Sequence, residues 1–144
     1  MSKLDRRNQA RQKQRLKSQG KSEAMSIFSG QNGASRHVAV IPLSDHVDSR
    51  RAVRLLDESV NIWHENIQGG IIRVRIDRFK QNVMYIPTSR DLIGALDACR
   101  LADFVLFVLP AEAELDYVDH HLLKSIEGQG ISNVLAVVQV SRSV

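Results

Sequence analysis

Apolar residues recur with clear periods from His37 onward, and their spacing predicts a succession of elements. Val38 to Ile41 is a short run rich in β-branched side chains, so it reads as a buried strand ended by Pro42. Over residues 48–65, Val53, Leu56, Val60 and Trp63 recur at three- and four-residue steps, which predicts a helix that Asp48 can cap. After Gly69-Gly70, Ile72, Val74 and Ile76 alternate with Arg73, Arg75 and Asp77, the period-2 signature of a strand with one wetter face. Polar residues 77–82 turn the chain, and Val83 to Ile86 returns as the second strand of a hairpin. Thr88 followed by Asp91 predicts a capping box for a helix over 89–101, with Leu92, Leu96 and Cys99 on its buried face. Phe104 to Leu109 is the most apolar strand and is expected at the centre of the sheet. A helix over 113–127 places Leu115, Val118, Leu122 and Ile126 on one face, with Gly128 just past its end. Val134 to Val138 is expected as a last buried strand.

The order β-α-β-β-α-β-α-β implies a layered α/β fold whose sheet is mostly parallel, with one antiparallel edge strand supplied by the hairpin. It resembles the front of a Ras-like GTPase domain and stops at the fifth strand. The fold expected over 37–144 is therefore P-loop-GTPase-like and incomplete at its C-terminus, and the chain is expected to be the front piece of a longer one.

Composition adds little: 43% hydrophobic and 25% charged residues are ordinary for a globular chain. Phe104 to Leu109 is far too short to span a bilayer, and the charged N-terminus lacks the apolar run of a secretory signal. Cys99 is the single cysteine, which excludes an internal disulfide framework and a cysteine-rich zinc site. A soluble intracellular protein is expected.

Charge changes the picture more. The net charge of +4 divides unevenly: residues 1–24 carry eight Lys/Arg against two acids, and the remaining 120 carry twelve against fourteen. A +6 arm precedes a −2 body, which points to a polyanionic partner, most often nucleic acid. Ser2 and Asp5 fit a capping box, and a helix over 3–18 aligns Lys3, Arg7, Arg11 and Arg15 at successive i+4 positions, with Arg6, Lys13 and Lys17 flanking them. These residues and Lys21 are the candidate RNA contacts of a helical or extended arm over 1–24. The arm contains no aromatic residue, so it would hold phosphates and would not read bases. A solvated tail serving only nuclear import is the plainer reading. Residues 25–36 form a linker, interrupted by Gly30 and Gly33 after Gly20, with Ile27 and Phe28 as its apolar exceptions.

The Ras-like order invites a test for nucleotide chemistry. A phosphate-binding loop needs glycines to let backbone N–H groups converge, a Lys for the β/γ-phosphates and a Ser/Thr for Mg²⁺. The junction Pro42-Leu43-Ser44-Asp45-His46-Val47-Asp48-Ser49 has no Gly and no Lys. Ile86-Pro87-Thr88-Ser89-Arg90 stands where an Asp-x-x-Gly motif belongs, and Gln139-Val140-Ser141-Arg142 stands where guanine would be read by Asn-Lys-x-Asp. The connection Asn66 to Gly70 is too short for a usual first switch and holds no Thr. Coordinated loss argues for a retired site. No enzyme activity, cofactor, metal or small-molecule substrate is expected, and an active GTPase with an atypical site is the alternative.

Other constellations have plainer explanations. Asp116, Asp119, His120 and His121 share a predicted helix, where a solvated face outweighs a metal site. Asp45, His46 and Asp48 read as capping and turn chemistry, and Cys99 as core. Arg50, Arg51 and Arg54 open the first body helix. Arg73, Arg75, Arg78 and Lys80 line the hairpin as a possible second ribosome contact, with pairing to neighbouring acids as the alternative.

Lys3-Leu4-Asp5-Arg6-Arg7-Asn8-Gln9-Ala10-Arg11, Ile27-Phe28-Ser29-Gly30-Gln31-Asn32-Gly33-Ala34, Ile41-Pro42-Leu43-Ser44 and Ala102-Asp103-Phe104-Val105-Leu106-Phe107-Val108 together resemble the family of 20S-rRNA-accumulation factors of the small ribosomal subunit. These are relatives of the Bms-type nucleolar GTPase and of translational GTPases. The resemblance implies a GTPase-like domain without a working nucleotide site. It implies docking on the pre-40S particle through pre-18S rRNA, small-subunit ribosomal proteins and other assembly factors, and no membrane. It also implies a block on premature subunit joining. The family implies the nucleus and nucleolus, with cytoplasmic pre-40S particles, as its locations.

Overall fold

The computed structural model describes residues 3–29, 34–63, 70–131 and 133–140; the side chains of Lys3, Leu4 and residues 19–29 also lie outside the description. The chain opens with helix α1 (Lys3–Ser29). It is longer than the 3–18 expected and runs through Gly20, because a single glycine costs only about 1 kcal/mol in a helix whose other residues are mostly good formers. The expected linker therefore holds helix as far as Ser29, and 30–33 lie outside the described residues.

The body consists of β1 (Arg36–Pro42), α2 (Ser49–Ser59), β2 (Ile72–Ile76), β3 (Gln81–Pro87), α3 (Leu92–Leu101), β4 (Phe104–Pro110), α4 (Tyr117–Gln129) and β5 (Val134–Gln139). The strands form one sheet in the order β2-β3-β1-β4-β5. β1 pairs in parallel with β3 and β4, β4 in parallel with β5, and only β2 is antiparallel, against β3. This is the Ras-like order expected, with β1 in the middle; the more apolar β4 lies one place off centre.

Alternation along the strands divides the core into two layers. Ala39, Ile41, Val105 and Phe107 pack with Ala95, Ala98, Cys99, Leu122 and Ile126 of α3 and α4. Val40, Leu106 and Val108 face the other way, onto Ala52 and Val53 of α2 and onto Ile72, Val74 and Tyr85. The sheet thus lies between α2 on one side and α3 with α4 on the other.

Several expected boundaries are corrected. α2 stops at Ser59, because Asn61 takes a left-handed φ of 63° and the N–H groups of Val60 and Ile62 both donate to the Asp57 carbonyl. Trp63 consequently leaves the helix and is 75% exposed, while 64–65 lie outside the described residues. The cap of α3 is Asp91, whose carboxylate accepts from Gly94 N at 2.7 Å; Thr88 instead donates to the Val40 carbonyl. The buried residues of α3 are Ala95, Ala98 and Cys99, with Leu96 partly buried against the same core, while Leu92 is 36% exposed. α4 begins later than expected, because a reciprocal capping box between Asp116 and Asp119 fixes its start. It ends at Gly130, which has the left-handed φ of 77° that the expected Gly128 lacks. Within the described sheet β5 pairs only with β4, and the burial expected of it is not seen there: Leu135 is 59% and Val138 65% exposed.

Candidate functional site

Two regions collect the polar chemistry, one beyond the C-terminal ends of the parallel strands and the other on α1 and the β2–β3 hairpin. The first is the corner beyond the C-terminal ends of β1 and β3, where open α/β sheets bind ligands. The chain leaves β1 at Pro42 and enters α2 through residues 43–48. Leu43 N donates to Val108 O at 2.9 Å, His46 N to Ser44 Oγ at 3.1 Å and Asp48 N to Gln139 Oε1 at 2.8 Å. Ser49 Oγ donates to Thr88 O at 2.7 Å. These bonds tie the loop to the ends of three strands.

The N-terminus of α2 is the position at which a phosphate-binding loop would offer N–H groups to an anion. Here Asp48 fills that position, its carboxylate accepting from Arg50 N at 2.9 Å. Shallow depressions of about 180 and 490 Å³ flank the corner, and Asp48 lines both. Space is therefore present, and Asp48, which repels phosphate, faces it beside Arg90 in the smaller depression and Arg50 in the larger.

Arg90, in the turn after β3, closes the corner. Its Nε donates to Asp119 Oδ1 and its Nη1 to Asp45 Oδ2, each at 2.8 Å, and its Nη2 donates to Asp116 Oδ1. Asp116 Oδ1 also accepts from Asp119 N, and Asp119 Oδ2 from Asp116 N, both at 3.0 Å. One guanidinium thus clasps the loop after β1 to the start of α4. The Arg90 side chain is 14% exposed and that of Asp119 2%. The Arg90 cation, followed by the backbone N–H of Asp119, holds the Asp116 carboxyl below the usual carboxylate range. The carboxylates that the sequence offered as capping or metal groups are thus caps and ion-pair partners, and His120 and His121 are exposed outside the clasp. Among the described residues no group of three or more His, Cys, Asp or Glu is arranged to hold a metal. Cys99 is buried, and burial pushes its thiol up to about 11.

Sequence reasoning passed over Arg90. Its partners lie 45, 26 and 29 residues away, so no local spacing announces them. The available signal was the density of acids at both flanking junctions around a lone Arg.

The second region is basic. Arg6, Arg7, Arg11, Lys13, Arg15 and Lys17 all lie on α1 with exposed side chains. The helical backbone sets Arg7, Arg11 and Arg15 one turn apart on one stripe. Lys3 and Lys21 belong to the same helix, with side chains outside the described residues. Arg73, Arg75, Arg78 and Lys80 are exposed on the β2–β3 hairpin, and Arg75 pairs with Asp77 at 3.2 Å. The structure brings these four together on one hairpin, while Arg50, Arg51 and Arg54 open α2 elsewhere.

Comparison with known proteins gives the chain its relatives. A family model described as Tsr1, G-like domain, matches residues 36–144. The ribosome biogenesis protein tsr1 of Schizosaccharomyces pombe is 35% identical over 141 residues, covering 95% of this chain and 18% of that protein. The pre-rRNA-processing protein TSR1 homolog of Drosophila melanogaster is 31% identical over 114 residues, 76% of this chain and 14% of its own length. That of Caenorhabditis elegans is 38% identical over 64 residues, 44% of this chain and 8% of its own length. The chain spans less than a fifth of the length of these relatives. With the model matching the whole sheet and the fission-yeast relative aligned along nearly the entire chain, the chain belongs to the Tsr1 family, and residues 36–144 are a G-like domain.

Proposed function

We propose that this protein serves ribosome biogenesis as a non-enzymatic scaffold of small-subunit maturation. Its relatives are named for ribosome biogenesis and pre-rRNA processing, which supports a role in that process. In this reading the G-like body docks by shape on the pre-40S particle during 20S pre-rRNA processing. It obstructs premature engagement of translation factors or the large subunit. The arm lies along pre-18S rRNA, with Lys3, Arg6, Arg7, Arg11, Lys13, Arg15, Lys17 and Lys21 on phosphates and with ribosomal proteins and other assembly factors as neighbours. It works in the nucleus and nucleolus and on cytoplasmic pre-40S particles.

The observation that carries the non-enzymatic part is the clasped corner. A glycine-free loop has its helix N-terminus capped by Asp48 and its exit tied down by Arg90. The Ras-like strand order favours one competing reading, an active GTPase with an atypical site. Equilibrium binding of labelled GTP with Mg²⁺ separates the two. No saturable binding is expected, and micromolar binding that requires residues 43–49 would establish the competitor. Crosslinking in intact particles tests the scaffold: arm–rRNA crosslinks are expected, whereas crosslinks to proteins alone would leave the arm as an import signal.

A further inference from the structure

We infer that the tip of the β2–β3 hairpin is a binding site for unpaired RNA, with Phe79 as a stacking platform for one base and Arg73, Arg78 and Lys80 on the flanking phosphates. This rests on the RNA partner proposed above and goes beyond it, because the arm has no ring on which a base could stack.

The hairpin is built to present these groups. β2 alternates, Ile72 and Val74 being buried and Arg73 and Arg75 exposed, so its cations stand on the solvent face of an edge strand. The turn is closed by Phe79 N donating to Ile76 O and Lys80 N donating to Asp77 O, each at 3.1 Å. Lys80 adopts a left-handed φ of 51°. The Phe79 ring is held out at this tip. It is 54% exposed, with the Arg78 guanidinium over it, 5.5 Å from its centroid. An exposed aromatic ring costs solvation and contributes nothing to the core. Set among cations, it has the makeup of a single-strand site, where base–aromatic stacking joins phosphate contacts and Arg adds a second stacking plane. Asp77 is the acid within the tip, and it engages Arg75, which leaves three of the four hairpin cations for phosphate.

Topology supplies the second argument. Arg36 pairs with Val83 at the start of the parallel β1–β3 ladder, and the hairpin turn immediately precedes β3. The arm therefore joins the body at the end of the sheet that carries the hairpin tip, opposite the clasped corner. An RNA strand held at the tip thus lies at the end of the sheet where the arm attaches.

The test uses the full chain and a fluorescein-labelled oligouridine of about 12 nucleotides, within the span of known single-strand sites. Phe79→Ala is expected to weaken binding roughly tenfold and to leave the salt slope unchanged, whereas Lys80→Ala lowers that slope by about one unit. Phe79→Trp in a Trp63→Phe background is expected to keep parental affinity, and its single indole should be quenched at saturating RNA. Unchanged affinity in Phe79→Ala, or unquenched emission from the bound indole, overturns the inference. An equal loss on polyglutamate would also overturn it, and would make the tip a dock for acidic protein. The triple charge reversal Arg7→Glu, Arg11→Glu, Arg15→Glu runs alongside. Loss of RNA there with none in Phe79→Ala sinks the hairpin site and keeps the arm; the converse sinks the arm's role and keeps the hairpin.

Discussion

Removing the Arg90 guanidinium strands Asp119, whose side chain is 2% exposed, without its counter-ion. Arg90→Ala should therefore cost about 2–3 kcal/mol in urea unfolding, a figure held down because the Asp45 and Asp116 ends of the clasp stand in water. The same clasp predicts a pH dependence. The folded-state pKa of Asp116 is depressed by Arg90, so folding favours the ionised form. That contribution is complete above the ordinary carboxylate range and is lost as pH falls through the depressed value. The parent protein should lose stability as pH falls from the ordinary carboxylate range through that depressed value, and Arg90→Ala should lose less over that range. An identical acid limb in both would show that the clasp contributes nothing. At this scale the sequence disclosed the capping role of Asp48, since a cap is decided within three residues. It did not disclose Arg90, whose function depends on groups that only the fold brings together.

Elements were most legible where burial is decided by immediate neighbours. β1 and the β2–β3 hairpin form where the apolar run and the period-2 alternation place them, because β1, flanked on both sides, must hide its side chains, while β2 at the edge buries one face only. The burial expected of β5 is not seen among the described residues. An apolar run states what a strand would bury, not whether another element covers it, and in the described sheet β5 has only β4 beside it. α4 shifted because a capping box is a stronger boundary than an apolar stripe. The exposure of β5 makes a paired prediction. Leu135→Ser, at a residue 59% exposed, should change stability by less than about 1 kcal/mol. Leu106→Ala, at a residue 5% exposed, should cost about 2–5 kcal/mol. Comparable losses from the two, read by urea unfolding, would contradict that exposure.

Over the whole molecule, charge and topology divide the labour. The −2 body and +6 arm were visible in the composition alone, and strand order revealed the G-like fold. Composition could not show that the hairpin and the arm's attachment share one end of the sheet, because register decides that. If the arm holds about five phosphates, log affinity for RNA should fall with log salt at a slope near −4, measured by titration at several salt concentrations. A slope near zero would remove the arm from the interface. The clasp at the C-terminal ends of the strands has a consequence for concentration. Its cation is covalently part of the chain, so its effective concentration is set by chain geometry and no dilution empties the site. A corner closed by a diffusible ligand opens as that ligand is diluted; the group that closes this one is present at any concentration of the protein.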